Sequence, residues 1–323
     1  MNEASEYASL IDAVLNDDSG GGSATTLYDS DHTTVYKTGS PEPYVVRVSS
    51  QRPEERSTHI EILDRIGDLE GLTAGILHTE TREVRGDVRT VDVMTYLPGK
   101  LLDHYPSRLE AWGIVEAVYA LHTRLRSISP GFAGRGVPRL EDILPGLIAV
   151  SEQSSMKSRA ETLMEGKRFS ALLATGDPCL IYGDPWPSNF LIDHEMQPPR
   201  VRIVDIDPVF FGPAILQPAV LFSACFVASS LLFPTRNSEI LDLDALIGFW
   251  PEELDRRDSL LMMRVFPILL SLFKVAESKG HPSRSPQSLQ ANLDLLERCL
   301  AAIDEYDGRV ERPGTERRSP RGP

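Results

Sequence analysis

The stretch that decides the fold reads Leu180-Ile181-Tyr182-Gly183-Asp184-Pro185-Trp186-Pro187-Ser188-Asn189-Phe190-Leu191-Ile192. A polar loop lies here between two apolar segments, and such segments are typical of buried strands. A further apolar segment, Val201 to Val204, leads directly to Asp205. The pattern predicts that neighbouring strands deliver Asp184, Asn189 and Asp205 to the same place.

Oxygen-bearing side chains at this spacing are typical of phosphoryl transfer. Asp184 can orient a hydroxyl group and accept its proton, and the oxygens of Asn189 and Asp205 are hard ligands of the kind that Mg²⁺ prefers. The alternative is an Asx turn at Gly183-Asp184-Pro185 beside a solvated pair of aspartates. The flanking apolar segments favour phosphoryl transfer, because buried strands would hold a polar loop in place.

The composition indicates a globular intracellular protein. The 323 residues are 41% hydrophobic and 25% charged, and we expect two lobes rather than one large domain. The net charge of −14 disfavours nucleic acid and anionic membranes as partners, because both bind clustered Lys and Arg. The three cysteines are widely spaced, which predicts reduced thiols. The N-terminus lacks the features of a signal peptide, so we expect a cytoplasmic protein.

One apolar run, from Ala214 to Phe233, approaches the length of a membrane span. It contains Gln217, Pro218 and several serines, and its flanks show no basic asymmetry. We therefore predict a buried helix instead of a membrane segment.

Strand signals dominate the N-terminal part of the chain, after an amphipathic helix at about 7–15. Residues rich in Thr, Val and Tyr predict strands, paired as antiparallel hairpins, at 24–28, 33–38, 44–49, 73–80 and 90–96. Helical spacing of apolar residues predicts one helix among them, at 54–69.

Helical patterns follow Leu97-Pro98-Gly99, at 109–128, 143–174, 260–276 and 289–306. Segregated strands and helices predict an α+β fold. We expect a nucleotide-binding lobe of an antiparallel sheet plus one helix at 1–97, and a mainly helical lobe for catalysis and substrate binding at 98–308. The basic tail at 309–323 is rich in Arg, Pro and Gly and is expected to be disordered.

The order of these features resembles the aminoglycoside phosphotransferase family, small-molecule kinases of the protein-kinase-like two-lobed fold. The family loop reads His-Gly-Asp, four variable residues and Asn, and here Tyr182-Gly183-Asp184 is followed at that spacing by Asn189. The resemblance spans about 24–306. It implies that Asp184 is the catalytic aspartate, that Asn189 binds magnesium and that Asp205 is the main metal-binding aspartate.

Asp207 is a second metal candidate. A later family motif, Ile-Asp-Trp-Glu followed by a Gly, corresponds to Val204-Asp205-Ile206-Asp207 and Gly212. The spacing to Gly212 favours Asp205 as the main ligand, although some relatives place the metal aspartate directly before a proline, as Asp207 is here. Alternation puts the side chains of both aspartates on one face of the strand, where Asp207 would bind a second metal or a metal-bound water. The alternative is that Asp207 and the following proline form an ordinary strand exit.

Arg47 stands in the strand where kinases of this fold carry the Lys that contacts the α- and β-phosphates. Arg grips phosphate through a planar fork, with a different reach from Lys. We predict Glu61 on the following helix as its carboxylate partner, with Glu55 as the alternative. The competing interpretation is an edge-strand Arg whose stem covers the sheet.

Two further segments are predicted to contact the nucleotide. The covering loop at 28–33 lacks the glycines of protein kinases, so Ser30 and Thr33 would supply donors. The segment Met94 to Gly99 resembles the family hinge, where backbone groups at Thr95 and Leu97 would bond the adenine edge.

The main departure from the family is Tyr182 in place of His. The family His holds the catalytic loop by hydrogen bonds, and a Tyr can fill the space and keep one polar bond. Together with Arg47 and the glycine-free covering loop, it leaves a noncatalytic nucleotide-binding protein as an alternative. His122, in a Leu-His pair frequent in these kinases, is predicted to be structural.

The resemblance implies an ATP- and Mg²⁺-dependent transfer of the γ-phosphoryl group to a hydroxyl of a small molecule, with GTP as the alternative nucleotide. The expected acceptor is an aminoglycoside-like antibiotic or natural-product intermediate, or a choline-, homoserine- or sugar-like metabolite. The chain would act as a monomer or homodimer. An amine-bearing acceptor would meet acidic and aromatic residues that alternatively form a solvated loop: Asp242, Asp244, Trp250 and Glu253.

Overall fold

A computed structural model gives the architecture of the chain. It describes residues 3–15, 24–29, 33–39, 42–50, 53–67, 69–84, 86–142, 158, 166–173, 178–206, 209–228, 231, 246, 248–250, 258–265, 294, 297–298 and 301–302. Most of the helices predicted at 143–174 and 289–306, and the tail at 309–323, lie outside these residues.

The five strands predicted in the N-terminal part of the chain precede the long helix predicted after Gly99. The strands are β1 (Ala24–Asp29), β2 (Thr33–Thr38), β3 (Tyr44–Ser49), β4 (Ile76–Val84), β5 (Asp87–Thr95), β6 (Lys100–Leu101), β7 (Cys179–Tyr182), β8 (Phe190–Asp193), β9 (Arg200–Ile203) and β10 (Val209–Gly212). The helices are α1 (Glu3–Leu15), α2 (Pro53–Ile66), α3 (Arg108–Ile128), α4 (Lys167–Leu173) and α5 (Leu216–Leu221), which continues as a π-helix at Phe222–Ala228. Short 3₁₀ turns lie at Leu69–Gly71, Ser129–Gly131 and Pro187–Asn189. The α+β fold class is confirmed.

The chain packs as two compact units. The first unit comprises Met1–Leu102, Pro106–Val137 and Ser188–Val209. The second unit comprises Asp103–Tyr105, Pro138–Pro187 and Phe210–Pro323.

In the first unit, β1 to β5 form an antiparallel sheet in the order β1-β2-β3-β5-β4. Side chains alternate between the two faces of a strand. One face carries buried valines that pack against Ile11 and Val14 of α1, namely Val46, Val48, Val91 and Val93. The residues between them, Arg47 and Asp92, therefore lie on the opposite face.

The first unit also contains a smaller antiparallel sheet, β6-β8-β9, packed against α3. A capping box fixes the start of α3, because the Ser107 side chain accepts from the backbone of Glu110 and the Glu110 carboxylate accepts from Ser107 N. The helix approaches β9 so closely that a Cβ on Gly113 would lie 2.7 Å from Val201 Cγ2. Gly113 therefore permits this contact.

The apolar run of the second unit forms α5 and the π-helix. Every residue from Leu216 to Ala228 is buried, so the prediction of a buried helix is confirmed for this part of the run. In the part of the chain that the structure describes, no helix combines the length and the hydrophobicity that crossing a bilayer requires.

Candidate functional site

Asp184 follows β7 in a tight turn of the second unit. Tyr182, the last residue of β7, is fully buried. Two residues later, the backbone N–H of Trp186 donates to the carbonyl oxygen of Asp184 at 2.8 Å. Asp184 itself is half-buried. Its backbone is thus fixed by a buried strand on one side and by a hydrogen-bonded turn on the other.

Gln217 fixes the start of this loop, a role that sequence reasoning missed. Its Oε1 accepts from Tyr182 N at 2.8 Å and its Nε2 donates to Tyr182 O at 3.0 Å. Gln217 is fully buried, so both bonds are shielded from water. The side-chain amide bonds Tyr182 as a neighbouring strand would, which holds the loop through its backbone whatever side chain position 182 carries. The available signal was an amide inside an otherwise apolar run.

Asn189 and Asp205 flank the paired strands β8 and β9 in the first unit. Phe190 pairs with Ile203, and the backbone N–H of Val204 donates to the carbonyl oxygen of Asn189 at 3.0 Å. Because Asn189 precedes β8 and Asp205 follows β9, both lie at the same end of this hairpin. The structure thus brings together two of the residues predicted to bind metal.

Arg47 lies close to Asp205. Its Nη1 is 4.0 Å from Asp205 Oδ1, and the two side chains are 15% and 41% exposed. The Nε of Arg47 is buried and has no hydrogen-bond partner among the described residues. A guanidinium usually fills its donor fork when buried. In Arg47 the Nε donor is left over.

Arg47 and Asp205 line a small cleft on the sheet face opposite α1. Leu63 and Met94 contribute apolar walls, and His59 of α2 contributes a further polar side chain. His59 was not singled out from the sequence, because nothing local distinguishes it from its helical neighbours. The cleft combines basic, acidic and apolar walls.

Asp92 is a buried carboxylate that sequence reasoning also missed. It is fully buried on β5, lies directly opposite Arg47 in the β3–β5 register, and accepts from Thr79 Oγ1 at 3.0 Å. Directly opposite residues have Cβ atoms about 5 Å apart, so Asp92 is the cross-strand neighbour of Arg47. A single Asp between two core valines was the signal.

Glu61 is not the partner of Arg47, and that prediction is wrong. The Glu61 carboxylate binds Arg135 through two bonds of 2.7 Å and Arg65 through one of 2.8 Å. The hydrogen bond from Arg135 is the main cause that lowers the pKa of Glu61. Glu61 therefore ties α2 to the turn after α3. The side chain of the alternative, Glu55, lies outside the described part of the structure.

The hinge segment begins where β5 ends. Thr95 N donates to Gly75 O at 3.0 Å, and Thr95 Oγ1 accepts from Gly75 N at 2.9 Å. Leu97 is 7% exposed, and no described residue bonds its backbone N–H or C=O. Buried backbone groups normally find partners. Those of Leu97 are suited to a ligand with matching donors and acceptors.

Two of the other predicted site residues lie in the described part of the structure. Thr33 opens β2 opposite Ser49 and is half-buried. Trp250 is 2% exposed, and its contact with an acceptor remains a prediction. The remaining candidates lie outside the described residues: Ser30, Asp207, Asp242, Asp244 and Glu253.

His122 is buried in α3, with an exposed fraction of 1%. Burial, assisted by the charge of Arg126, lowers its pKa from 6.5 to about 4. The imidazole is therefore neutral at physiological pH, which fits the structural role predicted for it.

Acidification is expected to destabilise the protein through His122. The unfolded chain, with a pKa of 6.5, binds a proton more tightly than the folded chain, with a pKa of about 4. The stabilisation is complete above pH 6.5 and is lost as the pH falls toward 4. Between pH 7 and pH 5 the loss should be about 2 kcal/mol of the free energy of unfolding. Urea unfolding of the wild type and of His122→Asn at both pH values measures this loss. If the two proteins showed the same pH dependence, the assignment of a buried neutral imidazole would be contradicted.

Among the described residues, no group of three or more His, Cys, Asp or Glu side chains forms a metal cage. Mg²⁺ does not need one, since it binds through one or two carboxylates together with water and substrate phosphates. The oxygens of Asn189 and Asp205 fit this demand, and the buried, unpartnered Nε of Arg47 fits the phosphates.

The fold is that of protein-kinase-like phosphotransferases. The chain belongs to the phosphotransferase enzyme family (APH), whose model matches residues 28–233. No curated protein sequence matches the chain significantly.

Solved structures share the fold at low identity. Aminoglycoside 2′-phosphotransferase-IIIa in its GDP complex has a TM-score of 0.62 at 15% identity, over 93% of this chain and 99% of its own. A microcompartment-associated aminopropanol kinase has a TM-score of 0.61 at 17% identity, over 94% and 98%. The choline kinase LicA from Streptococcus pneumoniae has a TM-score of 0.57 at 13% identity, over 94% and 100%.

Proposed function

We propose that the protein transfers the γ-phosphoryl group of ATP to a hydroxyl of a small molecule. One observation carries the proposal: across a cleft, Arg47 Nη1 lies 4.0 Å from Asp205 Oδ1, and the buried Nε of Arg47 has no hydrogen-bond partner among the described residues. Such a pair suits a nucleotide phosphate and its counter-cation better than it suits a structural ion pair, which would be shorter. Membership of the phosphotransferase enzyme family supports the same reaction class.

The nucleotide is assigned to residues 1–97 and to the hairpin of β8 and β9. The backbone of Leu97 and the neighbouring Thr95 would bond the adenine edge, and Arg47 would bind phosphate oxygens. Asn189 and Asp205 would hold Mg²⁺, with Asp207 as a further ligand. When bound, Mg²⁺ supplies neutralisation of the phosphate charge.

Asp184 is assigned to the acceptor, within residues 98–308. Phosphoryl transfer needs an oriented hydroxyl, and a carboxylate orients it by accepting its hydrogen bond and then its proton. Gln217 supports this role, because its two bonds to Tyr182 fix the strand from which the Asp184 loop leaves. A rigid loop loses less entropy when the acceptor binds.

The acceptor is proposed to be an alcohol that also carries an amine. It would be an aminoglycoside-like antibiotic or an intermediate of a natural product. The names of proteins with the same fold include aminoglycoside phosphotransferases, an aminopropanol kinase and a choline kinase. All of these names refer to amines that also carry a hydroxyl. The latter two favour the second candidate, a metabolic kinase of a choline-, homoserine- or sugar-like substrate.

A single assay panel tests the proposal. Purified protein is incubated with Mg-ATP or Mg-GTP and a library of aminoglycosides, other antibiotics, small amino alcohols and sugars, while ADP or GDP release and acceptor mass are followed. An acceptor that gains one phosphoryl group identifies the substrate class. Nucleotide binding without phosphorylated product across the library would instead favour a noncatalytic binding protein, and no binding of either nucleotide would refute the proposal.

Arg47→Met is expected to weaken ADP binding by about tenfold or more, because it removes charge-assisted hydrogen bonds to phosphate. Glu61→Gln, the matched control on α2, should stay within about twofold of the wild type, since Glu61 binds Arg135 and Arg65 instead. Isothermal titration with ADP measures both. Equal losses in the two variants would show that Glu61 acts on the nucleotide despite its present partners.

A further inference from the structure

Arg202 on β9 is a buried cation with defined partners. Its side chain is 8% exposed, and its Nη1 donates to the carbonyl oxygen of Pro98 at 2.8 Å and to Asp193 Oδ2 at 3.0 Å. A buried guanidinium is costly unless it is paired and hydrogen-bonded. The two bonds therefore fix the Arg202 side chain in one position.

The first partner, Pro98, belongs to the hinge. Directly after it, Gly99 has a φ of +130° and lies so close to β8 that a Cβ would be 3.2 Å from the backbone C and O of Ile192. Lys100 then pairs with Ile192 in the ladder between β6 and β8. The exit of the hinge is thus packed directly on the β8–β9 hairpin, where no larger residue than Gly fits without a shift.

Strand β9, which carries Arg202, leads to the predicted metal ligand Asp205. Arg202 lies three positions before Asp205. Between them, Ile203 N donates to Leu72 O at 2.8 Å and Val204 N donates to Asn189 O at 3.0 Å. The hydrogen bond from Arg202 is the main cause that lowers the pKa of Asp193, as expected for a carboxylate paired with a guanidinium.

We propose that Arg202 is a positioning residue that fixes the Pro98 carbonyl of the hinge relative to Asp205. The base and the phosphates of one nucleotide are thereby held at a single spacing. The inference rests on the proposed function, because the hinge and Asp205 share a ligand only if the chain binds a nucleotide. Spacing matters to the reaction, since a misplacement of about 1 Å can cost about 10²-fold in rate.

The test compares Arg202→Met with Arg200→Met. Arg200 lies on the same strand, is exposed, and donates to the carbonyl oxygen of Glu70 instead of a hinge carbonyl. Titration with ADP in the presence of Mg²⁺ gives both a Kd and a stoichiometry. We expect Arg202→Met to raise the Kd by about 10-fold to 100-fold, as the loss of an orienting contact does elsewhere, and Arg200→Met to leave it within about twofold.

The split between Kd and stoichiometry separates positioning from folding. A purely structural role would lower the fraction of binding-competent protein without changing its Kd. If Arg202→Met does not fold, Arg202→Lys, which keeps the charge and can reach one of the two partners, should give an intermediate Kd. An unchanged Kd in the Arg202 variants overturns this inference alone, as do equal losses in both Met variants. A wild-type protein that binds no ADP overturns the proposed function and this inference together.

Discussion

Asp184→Asn is expected to lower kcat by about 10²-fold to 10⁴-fold, the usual loss when a general base is removed. Asn retains the size and one acceptor oxygen of the carboxylate but cannot take up the proton of the attacking hydroxyl. The fold should be preserved, because a backbone hydrogen bond and the Gln217 amide fix the turn and both remain in this variant. Steady-state kinetics with the acceptor found by the assay panel measures the loss.

ADP affinity provides the internal control for Asp184→Asn. Since Asp184 is assigned to the acceptor, the Kd for ADP should stay within about twofold of the wild type. Asp87→Asn in the exposed β4–β5 turn makes the same charge change and should leave kcat unaltered. A loss in kcat of only about twofold for Asp184→Asn would remove this residue from the mechanism.

Local patterns predicted much of the fold from the sequence. The strands predicted at 33–38 and 44–49 coincide with β2 and β3, and the helix predicted at 109–128 differs from α3 by one residue. Alternation and helical spacing are properties of neighbouring residues, so they are readable without tertiary information. The strand predicted at 73–80 starts later, at Ile76, because Thr73 forms an isolated bridge with Ile203 instead.

The partners of polar side chains were less predictable. Glu61 pairs with Arg135, 74 positions away, and no local signal indicates that contact. Successive helical residues are about 100° apart around the axis. His59 and Leu63 therefore share the face that lines the cleft, while Glu61 points elsewhere. Helical periodicity identifies the buried face of α2. It does not predict which polar side chain beside that face contacts the neighbouring strand.

Gln217 and Arg202 illustrate a second limit. Both bond backbone carbonyl oxygens in distant segments, Tyr182 O and Pro98 O respectively. Every residue has a carbonyl, so such contacts leave no pattern in the sequence of the acceptor. The sequence shows only the polar side chain that makes the contact, which stands out because the segment around it is apolar. Asp92 between two valines is the same kind of exception.

Asp205→Asn is expected to lower kcat/KM by about 100-fold or more, since a ligand to the catalytic metal accounts for several kcal/mol of transition-state stabilisation. The variant also removes the charge that faces Arg47 at 4.0 Å. Nucleotide binding therefore loses its dependence on Mg²⁺ rather than disappearing, because Arg47 remains available to the phosphates.

Asp207→Asn is the matched comparison, since both aspartates were candidates for the same role. Thermal unfolding with ADP, with and without Mg²⁺, reads the metal site independently of turnover. In the wild type, Mg²⁺ should increase the thermal stabilisation that ADP provides. In Asp205→Asn, Mg²⁺ should have little effect on this stabilisation. In Asp207→Asn, most of the increase caused by Mg²⁺ should remain. The reverse order would move the principal metal ligand to Asp207. The hairpin bond from Val204 N to Asn189 O argues for Asp205, because it places the residue that follows Val204 beside the amide that would share the ion.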